Sequence, residues 1–415
     1  MRAQINILLF SVLLLYSSLV MSNDNDLTKS ITLDYENRLK AIFEDFHAHP
    51  ELSLAEFETA KKISTALKNH GFTVTENVGG TGVVALLKNG KGPLVMMRAD
   101  MDGLPLEEKT DLPYASKDKQ LDPVTGNVFP VMHACGHDVH ITALIGTAKQ
   151  MVDLKSEWSG TLMLIAQPAE ERVLGARNMM NDNLWERFGK PDYALAFHVS
   201  SMLPSGIVNV VDGSPYAGAD TVDIYVHGIG AHGASPHAGK DPIVLGSQIV
   251  NSLQTLVSRE LPPRQPGVVT VGAFHSGTKH NIISDMAHLQ LTVRNTNDKT
   301  RDTLLSGIKR ISENLGRAAG LPEDKLPEVV VSEESTPPTI NDTELANRLK
   351  NLWQEKMGIN RVTSYSSDGM GAEDFPFFTR DPHIPSVYFA VGGTNHDYFK
   401  AALDGSGPPI PSHHS

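Results

Sequence analysis

The chain has 415 residues, a formal net charge of −12 at neutral pH, 40% hydrophobic and 20% charged residues, and a single cysteine. That is room for two domains with ample cores and an ordinary globular composition. With no basic block it excludes a nucleic-acid surface, and with one thiol it excludes an internal disulfide.

Arg2 precedes the apolar stretch Ile7 to Val20, and Val20-Met21-Ser22 offers small residues before the polar run from Asn23. This is the layout of a secretory signal over residues 1–22, so export is expected; retention as a membrane anchor is the alternative. No cysteine follows the apolar run, which leaves lipidation there without an acceptor. Helices are expected at Leu33 to Phe46 and at Glu56 to His70, the second ended by Gly71. Three apolar runs, Pro93 to Met97, Thr161 to Ala166 and Tyr193 to Phe197, read as buried parallel strands. Each is followed by polar groups: Asp100 and Asp102, Glu170 and Glu171, and His198. In open α/β sheets ligand sites form beyond the carboxyl ends of strands, so these groups are expected to converge.

From Gly218 the pattern changes. Thr221 to Val226, Gly267 to Phe274, Ala287 to Arg294 and Glu328 to Ser332 read as strands, with helices at Asp241 to Glu260 and Lys299 to Ala319. This β-α-β-β-α-β order fits a split, ferredoxin-like insert. After Pro338 the α/β pattern resumes, with a helix at Asp342 to Met357 and a strand at Ser386 to Val391. Gly405 to Pro411 reads as a loop.

Two motifs carry chemistry. In Met132-His133-Ala134-Cys135-Gly136-His137-Asp138 the only cysteine sits between two histidines, on a turn entering a helix expected at Asp138 to Val152. Thiolate and imidazole are strong ligands for a borderline-soft divalent metal, and Cys-x-His lets one turn supply both. Gln167-Pro168-Ala169-Glu170-Glu171 adds a carboxylate pair at the end of an apolar run. The competing reading makes Cys135 a small buried hydrophobe and the glutamates solvated surface.

Taken with His49-Pro50-Glu51-Leu52, Met97-Arg98-Ala99-Asp100-Met101-Asp102-Gly103-Leu104-Pro105 and Gly371-Ala372-Glu373-Asp374-Phe375, these motifs resemble the amidohydrolase branch of the metal-dependent aminoacylase and carboxypeptidase family. That branch includes hippurate hydrolases, N-acyl-amino-acid deacylases and plant auxin-conjugate hydrolases. The resemblance implies a zinc-exopeptidase-like α/β catalytic domain, residues 31–217 and 334–415, split by an α+β lid and dimerisation insert at 218–333. It implies two divalent ions per subunit (zinc, manganese, cobalt or nickel) held by Cys135, His137, Glu171, His198 and a C-terminal histidine, His414, with His413 and His396 as competitors. Glu170 would be the general base that takes a proton from a water acidified by the cation. His232, with His237 as second choice, would steady the developing oxyanion across a homodimer, while Asn281 and Arg294 would bind the substrate carboxylate. Ser284 stands where the family more usually has proline. Related sequences continue past the His-Ser segment, so the resemblance implies a truncated second catalytic part. The implied activity is hydrolysis of N-acyl amino acids. A dipeptidase or carboxypeptidase using the same site is the alternative, and an inactive metal-binding remnant is a third reading.

Overall fold

The computed structural model describes residues 27–366 and 369–415, so the expected signal segment lies outside the described residues. Among the described residues no helix is long and apolar enough to cross a membrane. The first helical stretch passes through a π turn at Tyr35–Leu39 into α1 (Lys40–Ala48), and α2 (Phe57–Asn69) follows. Two strands not expected from sequence come next, β1 (Thr73–Val78) and β2 (Gly82–Asn89), although β2 contains the apolar run Val83 to Leu87. β1 is a largely exposed edge and carries no apolar run to find it by. The expected strands are β3 (Leu94–Asp100), β4 (Gly160–Gln167) and β5 (Tyr193–Pro204), with α3 (His137–Asp153) between the first two.

These strands are mutually parallel, in the order β4-β3-β5, with Asp100 level with Gln167 and Arg98 level with Ala196. β3 and β4 end level, and His198 of β5, which runs on to Pro204, lies beside Asp100, so Asp100, the Glu170–Arg172 turn and His198 meet at one rim. β4 reads as an unbroken apolar run because both its faces are buried. Leu162, Leu164 and Ala166 pack with Ile63, Leu67, Ile141 and Leu144 under α2 and α3. Met163 and Ile165 pack on the other face with Met179, Trp185, Phe375 and Phe378.

Beyond β6 (Val208–Asn209) the chain enters a second sheet: β7 (Gly218–His227), α4 (Pro242–Thr255), β8 (Gly267–Ser276), β9 (Met286–Asn295), α5 (Asp298–Ala318) and β10 (Glu328–Val331). The four strands are antiparallel in the order β8-β9-β7-β10. Period-2 alternation sends Val222, Ile224, Val226, Leu289, Leu291 and Val293 against Leu245, Ile249, Leu253, Leu304 and Ile308 of the two helices. Asp241 caps α4 through Ile243 N at 2.8 Å, and Asn297 caps α5 through Thr300 N at 2.9 Å. The chain then returns through α6 (Thr343–Met357) and β11 (Val362–Thr363) to β12 (Ser386–Thr394) and α7 (His396–Asp404). β12 joins the first sheet parallel to β5, which completes the order β1-β2-β4-β3-β5-β12-β6-β11.

Candidate functional site

Cys135 lies on the turn before α3, and Gly136, with φ +86°, makes that turn in the left-handed region that favours glycine. A second tight turn follows β4. Ala169, at φ 47°, is held by its N–H, which donates to buried Glu56 at 2.8 Å, and the turn presents Glu170 and Glu171. Their backbone N–H groups donate to the two oxygens of buried Asp102, at 3.2 and 3.1 Å. The Glu170–Glu171 turn is therefore tied through its backbone to Asp102, just past the end of β3.

The histidine tautomers follow from their partners. Nδ1 of His137 is 2.8 Å from the Asp102 carbonyl, and Nδ1 of His198 is 2.6 Å from the Val199 carbonyl. A carbonyl only accepts, so both Nδ1 atoms carry a proton, and in the neutral ring each Nε2 keeps a lone pair. The His198 Nε2 lies 3.3 Å from Cys135 Sγ. The His137 Nε2 is buried, makes no hydrogen bond among the described residues, and lies 3.9 Å from a carboxylate oxygen of both Glu170 and Glu171. The C-terminal residues close the ring. His414 N donates to the Ala134 carbonyl at 3.1 Å, and its Nε2 sits 3.2 Å from Cys135 Sγ and 3.5 Å from Glu171 Oε1. His413 is also present, but its Nε2 accepts from Ser201 N at 3.3 Å, and its Nδ1 is 4.0 Å from the sulfur. His396 begins α7, exposed and paired with Asp397, away from this cluster.

The donor set fits a divalent cation. Asp100, Asp102, Glu170, Glu373 and Asp374 are buried, Glu171 is nearly so, and one guanidinium, Arg98, is buried among them. Burial pushes the Cys135 thiol up to about 12. Burial likewise pushes Glu171 up to about 7 and, helped by Glu373 and Glu171, holds Glu170 well above the carboxylate range. Protein charge alone leaves these donors poorly balanced, and a dication would offset them while taking the unused His137 lone pair. The groups formed by Cys135, His137 and His198, and by Cys135, Glu171 and His414, each bring their ligand atoms within 4.8 Å of one another.

Arg98 was not among the residues singled out from sequence, although a charge inside an apolar strand is itself a signal. It donates to Asp100 at 2.5 Å, to Glu373 at 2.6 Å and to Gln167 at 2.7 Å, and so joins β3 and β4 to the Gly371–Phe375 motif. His140, three residues beyond His137 on the same face of α3, was also missed; its Nδ1 is 2.5 Å from Asp100 Oδ1.

The cluster opens into a cavity of about 900 Å3 lined by Cys135, Glu170, Glu171, His198, His413 and His414. Val199 and Leu203 of β5, Val211 just past β6 and Phe389 of β12 add apolar lining. Arg294, at the end of β9, reaches this cavity from the second sheet, half-buried and without an ion pair among the described residues. The other three substrate-side candidates are elsewhere. His232 and His237 are exposed beyond β7, and Asn281 lies on the segment paired with His232, its carbonyl accepting from Gly233 N at 2.8 Å. None of the three lines the cavity of its own chain.

Residues 96–402 match the model of peptidase family M20/M25/M40. The chain belongs to this family. It is 36% identical over 347 residues to the hippurate hydrolase of Campylobacter jejuni, covering 83% of this chain and 86% of that protein. It is 35% identical over 371 residues to thermostable carboxypeptidase 1 of Saccharolobus solfataricus, covering 88% of each. A solved structure from methicillin-resistant Staphylococcus aureus superposes with a TM-score of 0.81 at 31% identity, covering 94% and 93% of the two chains. The Bacillus subtilis YXEP protein, described as a dinuclear metal-binding peptidase of the M20 family, superposes with a TM-score of 0.70 at 30% identity, covering 86% and 89%. This M20 chain is thus a metal-dependent hydrolase of amide bonds, with an α/β fold of the M20 type.

Proposed function

We propose that the chain hydrolyses N-acyl amino acids whose acyl group is apolar and larger than acetyl. The observation that carries this reading is the mixed lining of the cavity. The donor cluster, Arg294 (without an ion pair among the described residues) and the apolar side chains of Val199, Leu203, Val211 and Phe389 all line it. Arg294 suits a free carboxylate, and the apolar lining suits an acyl chain. A cavity of about 900 Å3 is at the upper end of the roughly 300–1,000 Å3 common for small-molecule sites, far more than an acetyl group fills. A dipeptide would also bring an α-ammonium. Outside the donor cluster, the carboxylate lining the cavity among the described residues is Glu373, already engaged by Arg98 and Tyr388.

Cys135, His137, Glu171, His198 and His414 would hold two divalent ions, and the excess of buried carboxylates over Arg98 supports two rather than one. When bound, the ions would polarise the amide carbonyl and acidify water. Glu170 takes the proton at its carboxylate and returns it to the leaving amine. Its burial favours the protonated form, which suits the second half of that task. The oxyanion contact comes from His232 of a second copy. Its Nδ1 accepts from Ala234 N at 3.0 Å, which leaves Nε2–H as an outward donor. Exposed Ile243, Val244 and Phe274 beside the unpaired edge strand β8 offer the surface for such a homodimer. Export, supported by the Ile7 to Val20 run, remains part of this reading.

The test is hydrolysis of acetyl-, benzoyl- and dodecanoylglycine and of a dipeptide panel, with metal-free protein reconstituted in turn with zinc, manganese, cobalt and nickel. Faster turnover of the larger acyl groups is expected, with most metal lost in Cys135→Ala. Cleavage of dipeptides alone would favour the peptidase alternative, and bound metal without turnover the inactive remnant.

A further inference from the structure

The ring of His140 touches both the buried carboxylate network and the backbone that carries His198. Its Nε2 accepts the Val199 N–H at 2.9 Å, and its Nδ1 faces Asp100 Oδ1 at 2.5 Å, a carboxylate also bound by Arg98. An amide N–H needs a lone pair on Nε2, so Nδ1 carries the proton and donates to Asp100. Both ring nitrogens are thereby committed. The atoms of Asp100, His137 and His140 lie close enough to hold a cation of their own, but His140 has no lone pair left to give one.

Both backbone groups of Val199 are used: its N–H goes to His140, and its carbonyl, in the next peptide, takes the His198 Nδ1–H at 2.6 Å. Its side chain is fitted just as closely. A Cβ added at Gly136 would lie 2.4 Å from Val199 Cγ1, and one at Gly393 would lie 2.6 Å from Cγ2. The residue is gripped by α3 through His140, by the Cys135 turn through Gly136, and by β12 through Gly393. The His140 and His198 rings meet edge to face, centroids 4.7 Å apart. We propose that His140 is a positioning residue, not a metal ligand: it fixes the backbone at Val199, and the Val199 carbonyl aims Nε2 of His198 at Cys135. The inference rests on the proposed ligand role of His198.

The experiment titrates metal-free protein with cobalt(II) and follows the thiolate-to-cobalt absorption, which reports binding at Cys135 independently of turnover. His140→Leu removes the acceptor for Val199 N–H, whereas His140→Gln restores one near the position of Nε2. The expected result is a cobalt affinity about 10- to 100-fold weaker in His140→Leu, the range typical when a partner of a ligating histidine is lost. The number of ions bound should not change, and His140→Gln should recover most of the affinity. Gly393→Ala presses on Val199 from the opposite side without touching His140, so it should weaken binding too. It carries the test if His140→Leu does not fold. Parent-like affinity in His140→Leu, or in Gly393→Ala, overturns the proposal. Loss of one bound ion in both His140 variants would make His140 a ligand and overturn it as well. If His198→Ala binds cobalt like the parent, the ligand assignment beneath the proposal fails instead.

Discussion

Under the second sheet, inward positions of β7 and β9 carry Val222, Ile224, Val226, Leu289, Leu291 and Val293, and the helices above answer with leucine and isoleucine. The buried carboxylate of Asp220 there is met by Arg301 through Nε at 3.0 Å and Nη2 at 2.6 Å. At the carboxyl rim of the first sheet the inward positions instead carry Arg98, Asp100, Asp102, His137, His140, Glu170, Glu373 and Asp374. Apolar burial stabilises the second sheet whatever is bound. The rim keeps charges out of water that only partners can offset, so its stability and its chemistry depend on the same few contacts. A substitution in the second core should therefore change stability alone, whereas one at the rim should change both.

The largest expected effect breaks the chemistry and spares the frame. Glu170→Gln keeps shape and metal while losing turnover by about 10²- to 10⁴-fold, the usual contribution of a positioned proton acceptor. Glu171→Gln should lose metal instead. Metal analysis and kcat on the same preparations check the division, and equal metal loss in the two variants would reject it.

Arg98→Met tests the rim's dependence on compensation. It leaves Asp100, Glu373 and Asp374 without their shared cation, and removing one partner of a buried pair costs about 3–5 kcal/mol. Urea unfolding of the holoprotein measures it; a loss under about 1 kcal/mol would mean that bound metal, not Arg98, offsets these carboxylates.

A smaller effect belongs to His47, behind the Cys135 turn, which contacts Asp138 at 2.7 Å and Glu108 at 3.0 Å. Burial lowers its pKa, but the hydrogen bonds to Asp138 and Glu108 outweigh burial and raise it from 6.5 to about 9. A raised folded value stabilises fully below the unfolded value, so this contribution is complete below pH 6.5 and is lost as pH rises through 9. His47→Gln should therefore cost on the order of 1–2 kcal/mol at pH 6 and flatten the decline of stability between the two values. Parallel stability–pH curves for parent and variant would exclude it.

The smallest effect sharpens the contrast from the other side. Ile224→Val, fully buried in the second core, should cost about 0.5–1.5 kcal/mol in unfolding experiments. It should leave cobalt affinity at the parent value, and a coupled loss of metal would show that the two regions are not independent.

Much of this was legible in order along the chain. Continuous apolar runs marked β3, β4 and β5 because strands covered on both faces have no polar side to alternate. Alternation and helical periodicity marked the elements of the second sheet, since one face there meets water. The Cys135 and Glu170 motifs announced donor chemistry through residue type and spacing alone. What no local pattern carries is the meeting of distant groups. That β3 and β4 end level, with His198 of β5 alongside, is a matter of strand register, and it brings Asp102 under the backbone of Glu170 and Glu171. That His414 rather than His396 reaches Cys135 depends on the tail crossing the site, pinned by its N–H to Ala134. That Arg294 faces the cavity while His232 does not depends on which end of the second sheet abuts the first. Residue types and periodicity are properties of short stretches, and the sequence determined them. Lone-pair directions, protonation preferences and shared burial arise only where residues far apart in the chain come within a few ångströms, and the tertiary structure decided those.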